Sequence, residues 1–182
     1  KPERASIYRR QIIVELDNLG LQSLGIVAII SVFMGAVLTI QTAFNTDHPL
    51  LPTYAIGFAT RQAIILEFSP TMIALILAGK VGSRIASEIG TMRVTEQIDA
   101  LEIMGVNAAG YLILPKIIAS MFINPLLVVI SMFLGIFGGY LAAQLSGLVS
   151  ASDYLYGIIF EFAFFDVVYA LIKTVVFAFI IA

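Results

Sequence analysis

Residues 18–46 read NLGLQSLGIVAIISVFMGAVLTIQTAFNT, 29 positions between Asp17 and Asp47 without a charged side chain. A helix crossing a hydrocarbon core of roughly 30 Å needs about 20 such residues, so residues 24–44 are expected to span once. A secretory leader fits poorly, because its apolar region runs about 7–15 residues and no cleavage-site pattern follows. The composition agrees. The 182 residues are 60% hydrophobic and 12% charged, with a mean hydropathy of +1.01. Soluble domains run near 45–50% apolar and about 25% charged. A net charge of −2 supplies no basic footprint for nucleic acid. With no cysteine, a disulfide framework, a thiolate metal site and a cysteine nucleophile are all excluded. The chain reads as an integral membrane protein.

Working outward, residues 1–20 mix Lys1, Arg4, Arg9 and Arg10 with Ile7, Ile12, Ile13, Leu16 and Leu19. That pattern suits a helix lying on a membrane surface; a solvated leader is the alternative. Residues 45–60 contain Asp47, Pro49 and Pro52 and no Lys or Arg. A second span is expected at 62–79, interrupted by Glu67 and Pro70, and is followed by a polar stretch with Lys80, Arg84 and Arg93. Residues 117–152 are again free of charge, and a third span is expected at 113–144. Beyond it lie Asp153, Glu161 and Asp166, then a run at 166–182 that contains Lys173. That last run is short for a span, so the natural protein is expected to continue.

Lys and Arg mark the cytoplasmic side of membrane proteins. Residues 1–20 hold four, and Lys80, Arg84, Arg93 and Lys116 make four more. The N-terminus and residues 80–107 are therefore expected inside, and 45–60 and 145–165 outside. This alternation requires 117–144 to cross once; a hairpin at Pro125 is the alternative.

Catalysis by this chain is not expected. The pair Gly79-Lys80 is followed by Val81 and lacks the remaining phosphate-loop residues. The single histidine, His48, has no second imidazole for a metal or a triad. Gly135 and Gly139 form a G-x-x-x-G pattern in span three, and Ala78, Gly82 and Ala86 continue small-residue spacing; packing inside the chain is favoured over a dimer seam.

Residues 88–105 read EIGTMRVTEQIDALEIMG. Thr95 is a natural N-cap, Glu96 and Asp99 fall in a first turn, and Gly105 is a natural stop. At 100° per residue, Val94, Ile98, Leu101 and Met104 share one arc, with Thr95, Glu96, Asp99 and Glu102 opposite. A short amphipathic helix at 94–104 is expected, either simply solvated or docking a soluble partner.

This segment resembles the signature of the MlaE-type permeases, E-x-G-x-M-x-x-T-E-Q-I-D-A-L. Glu88, Gly90, Met92, Thr95, Glu96, Gln97, Ile98, Asp99, Ala100 and Leu101 match it. Pro70, Leu75, Ala78, Gly79, Lys80 and Gly82 match a neighbouring P-x-x-x-x-L-x-x-A-G-[RK]-x-G pattern, and residues 171–177 resemble the run that opens the family's fourth span. The resemblance implies the membrane subunit of an ABC transporter moving phospholipids between the inner and outer membranes of Gram-negative bacteria. The implied fold is all-α, with an interfacial helix and five membrane helices, in a homodimer of the inner membrane. The implied partners are a periplasmic MCE-domain lipid-binding protein and a cytoplasmic ATPase that holds the ATP and magnesium. Glu88, Thr95, Glu96, Gln97, Asp99 and Glu102 would then couple the chain to that ATPase.

The chain departs from the family at Leu66-Glu67-Phe68-Ser69, where relatives carry Arg-Glu-Leu-Gly. Phe33, Val37, Ile40 and Phe44 recur along one face of span one, and Glu67 follows in span two. They are the expected lipid-contact residues, with Ala36 on the opposite face; plain bilayer contact is the alternative. A secondary transporter or channel using Glu67, Glu161, Asp166 and Lys173, and a non-transporting anchor of a complex, are the competing functions.

Overall fold

The computed structural model describes residues 5–46, 52–105 and 108–181, and among these there is no strand. The expected contributions of Lys1, Arg4 and His48 lie outside them. In chain order the helices are α1 (Ala5–Leu16), α2 (Gln22–Asn45), α3 (Tyr54–Gln62), α4 (Ser69–Leu77), α5 (Ser83–Val94), α6 (Gln97–Ile103), α7 (Ala108–Ser146), α8 (Ala151–Ile159) and α9 (Phe164–Ile181). Wider π-helical turns join α1 to α2 (Asp17–Leu21), α3 to α4 (Ala63–Phe68) and α4 to α5 (Ala78–Gly82). Four helical runs are long and apolar enough to cross a membrane: Gln11–Asn45, Tyr54–Val94, Gly110–Ser146 and Phe164–Ile181. Helices are what the bilayer demands, because they satisfy every backbone group within one segment. The chain is an all-α membrane protein.

Two boundaries differ from the sequence expectation, those of span two and of the short helix after it. Span two, expected at 62–79, lies within an unbroken helical run of 41 residues, roughly 60 Å of axis. Arg61 is buried within it, and Lys80, Arg84 and Arg93 ride on a helix that continues past the apolar stretch. The helix expected at 94–104 is shorter, Gln97–Ile103. As expected of a single crossing, Pro125 does not break α7, which runs 39 residues through both Pro115 and Pro125.

The most extensive helix pair is α2 with α7. Their backbones touch: a Cβ on Gly35 would overlap the Gly135 carbonyl, and one on Gly138 would overlap the Val32 backbone. Gly139 is closed off by the Tyr154 hydroxyl and Thr39 Oγ1. The G-x-x-x-G pair thus serves contacts inside the chain. Alongside, the hydroxyls of Ser31, Ser131 and Ser69 form a hydrogen-bonded row, 2.8 and 3.2 Å apart, stitching α2, α7 and α4. Val27, Ile73, Leu77, Leu127 and Val128 fill the core around that seam. A second cluster at the other end of α7 packs Ala43, Ile56, Ala143 and Val149 around the fully buried Tyr154. There α8 crosses α3 through Gly57 and Gly157, each facing the other helix's backbone.

Gly35→Ala should therefore force α2 and α7 apart and destabilise the chain by about 2 kcal/mol, the range seen for overpacking. Gly25→Ala, whose Cβ would meet nothing within 4 Å, should hold or slightly raise the unfolding midpoint in detergent, since alanine favours the helix. Equal midpoints for the two variants would contradict the seam.

Candidate functional site

At the end of the bundle that carries α1, helices α5 and α6 form a protruding hook. Thr95 does not cap α6. Its hydroxyl donates back to the Thr91 carbonyl at 2.8 Å, a bond that threonine readily makes within a helix, so it closes α5 instead. The reversal falls on Glu96, whose backbone is left-handed (φ 58°), a conformation costing a non-glycine residue about 1 kcal/mol. Glu96 is the residue before α6, and its carbonyl accepts from Ala100 N at 3.0 Å. Arg93 Nη1 and Asp99 Oδ1, 2.9 Å apart and exposed, brace the elbow. Gly105, at φ 75°, ends the hook as the sequence suggested.

The hook gathers Thr95, Glu96, Gln97, Asp99 and Glu102 on one exposed projection. Helical phase breaks at Glu96, so Val94 is not on the same arc as the apolar side chains of α6. Only Ile98 and Leu101 are half-buried; Val94 and Ile103 stand 84% and 87% exposed, with Met104 bare beside them. A seven-residue helix bearing two carboxylates, with a third at the elbow before it, and uncovered apolar groups has little reason to hold its place in water alone. Glu88 is not part of this projection. It lies further back on α5, where its Oε2 receives Lys116 Nζ of α7 at 2.6 Å. The same ammonium reaches Glu15 Oε1 of α1 at 2.9 Å.

On α2, Phe33 and Ile40 line an open groove of about 420 Å³ with Ala36, Gly138, Leu141 and Leu145. Ala36 therefore shares their face, and the buried face of the helix is Ser31, Gly35, Leu38 and Thr39. Val37 and Phe44 are exposed on the same helix. Glu67 is not among the residues lining the groove; it pairs with Lys173 Nζ of α9 at 3.2 Å. Lys173 also donates to the Leu66 carbonyl at 3.2 Å. Pro70, which has no N–H, stands four residues on, just past this π-helical turn. The lysine gives that carbonyl a donor and also places a cation beside Glu67. Sequence reading missed this pairing, although the four-residue spacing from Leu66 to Pro70 was its signal. Arg61 acts similarly at the far end: buried, it donates from Nη1 to the carbonyls of Ile158 and Phe160 at 2.7 and 2.8 Å and lies over the Phe58 ring.

Lys173→Met should cost about 2 kcal/mol by removing the charged donor that reaches the Leu66 carbonyl. In a Pro70→Ala background the restored N–H can serve Leu66, and the same substitution should cost about 1 kcal/mol less. Additive losses in a double-mutant cycle of unfolding midpoints would show that Lys173 does not replace the proline's donor.

Comparison with known proteins supports one family throughout. The family model described as Permease MlaE matches residues 12–182. A probable ABC transporter permease protein of Rickettsia bellii is 38% identical over 183 residues, covering 98% of this chain and 69% of that protein. A similarly described protein of Synechocystis is 35% identical, covering 97% of this chain and 66% of its own length. The Arabidopsis thaliana protein TRIGALACTOSYLDIACYLGLYCEROL 1, chloroplastic, is 32% identical over 98% of this chain and 51% of itself. With the hook residues, the proline-centred second span and a match along nearly the whole chain in agreement, the protein belongs to the MlaE permease family.

Proposed function

We propose that this chain is the membrane subunit of an ABC transporter, that α6 docks it onto a separate ATPase, and that its cargo is phospholipid. The observation that carries the reading is the hook, with its acidic and bare apolar side chains standing clear of the bundle. An acidic projection in an otherwise basic region suits a cationic groove on a soluble partner. ATP and magnesium belong to that partner. The distribution of Lys and Arg supports a cytoplasmic hook and N-terminus in a bacterial inner membrane, with α8 on the periplasmic side. There a periplasmic MCE-domain protein would receive or deliver lipid, and a second permease copy would complete the pathway. The Phe33–Ile40 groove offers apolar walls for acyl chains, and the Glu67–Lys173 pair offers charge for a headgroup. The glycerolipid in the Arabidopsis relative's name is in keeping with such a cargo. A charge pathway through Glu67, Glu161, Asp166 and Lys173 fits less well, because Lys173 is engaged by the Leu66 carbonyl and by Glu67.

Replacing Glu96 and Gln97 together by lysine should release the ATPase from the purified complex while leaving the permease's unfolding midpoint in place. Retention of the ATPase together with unchanged ATP-driven transport would sink the docking assignment. In the same complex, photo-crosslinkers at Phe33 and Ile40 should capture phospholipid more strongly than one at Phe122, which is exposed elsewhere on α7. Equal capture at all three positions would mean bulk bilayer contact and no lipid site.

A further inference from the structure

Energy delivered at α6 must reach the spans, and the hook has few ways to pass it on. Helix α5, which carries α6, has no fully buried residue. Ile85 packs against the core, and one turn further Glu88 meets Lys116. Lys116 sits just inside α7 beyond Pro115, its side chain only 5% exposed. It holds two carboxylates from two other elements at once: Glu15 of α1 at 2.9 Å and Glu88 of α5 at 2.6 Å. Ile12 and Leu16 of α1 also pack against the core.

One ammonium between two carboxylates leaves the cluster one negative charge in excess. Without the lysine, Glu15 and Glu88 would be left as like charges at a partly buried site, so each depends on Lys116 for its counter-ion. A lysine this near a membrane surface ordinarily extends toward water; this one is turned inward and enclosed.

We propose that Lys116 is a positioning residue for energy coupling: its two ion pairs lock the surface helix α1, the hook-bearing arm α5 and span three into one body, so that a displacement of α6 moves all three together. This rests on the reading that α6 docks an ATPase. Cutting the lock should leave α6, and hence ATPase binding, intact while disconnecting hydrolysis from transport. Arginine, whose guanidinium can bridge two carboxylates, should keep the connection.

The test uses the full-length permease assembled with its ATPase in liposomes, with fluorescent phosphatidylethanolamine as the transported probe. In Lys116→Met the ATPase should still co-purify and hydrolyse ATP, while lipid transferred per ATP falls about tenfold, within the range by which network residues alter coupling. Lys116→Arg should recover most of that ratio. An unchanged ratio in the methionine variant, or an arginine variant equally impaired, would overturn the proposal. Should the methionine variant fail to fold, Glu15→Gln, which spares the Lys116–Glu88 pair, replaces it with the same two outcomes. A wild-type complex that binds no ATPase or moves no lipid would instead defeat the functional reading. The lock would then be judged from spin labels at the exposed positions Ile13 and Thr91: a broader distance distribution in the methionine variant supports it, and an unchanged one overturns it.

Discussion

The contact on which the rest of the molecule depends is the backbone-to-backbone approach of α2 and α7 along Gly35, Gly135 and Gly138. Lipid tails are as apolar as leucine, so no hydrophobic force gathers helices within a bilayer; close van der Waals packing and polar contacts must do it. Small residues let the two longest apolar runs meet tightly enough for Ser31 and Ser131 to share a hydrogen bond. With that seam closed, α4 joins through Ser69, α9 packs on α7, and α1 lies against the start of α7. The Phe33–Ile40 groove is the outer edge of the same seam.

A second layer of order comes from cations that serve carbonyl groups. Lys173 donates to the Leu66 carbonyl in the π-turn before Pro70, Arg61 binds carbonyls where α8 ends, and Lys80 donates to the Gln22 carbonyl beside the first π-turn at 2.6 Å. Each ties two segments distant in sequence at a point where a helix is irregular. In a medium that supplies no water, an irregular helix needs a donor from elsewhere, and long basic side chains reach one.

Charge and hydropathy alone revealed the spans, because removing charge from about 20 residues has one physical meaning in a membrane. They did not reveal where the helices stop: the run Tyr54–Val94 shows that a charge can mark the exit from the hydrocarbon while the helix runs on. The hook was legible as a motif, and Gly105 as its end, but the role of Thr95 was not. Its hydroxyl can satisfy either the turn before it or the one after it, and only the fold decides. Face assignments failed where they depended on continuous helical phase, at Val94 across the Glu96 elbow, and where span one's buried side was unknown, at Ala36. The Lys116 cluster lies beyond any local reading, since its three members are separated by 28 and 101 positions.

The central claim is that α6 is the surface through which a separate ATPase acts on this permease. The most direct measurement places a photo-crosslinking residue at Ile103, the exposed apolar position of α6, in the complete complex. Capture of an ATP-hydrolysing subunit at Ile103, absent from a matched crosslinker at the α8 position Ile159, is the result this account requires. Capture at Ile159 alone, or no protein captured at Ile103 with or without nucleotide, would contradict it.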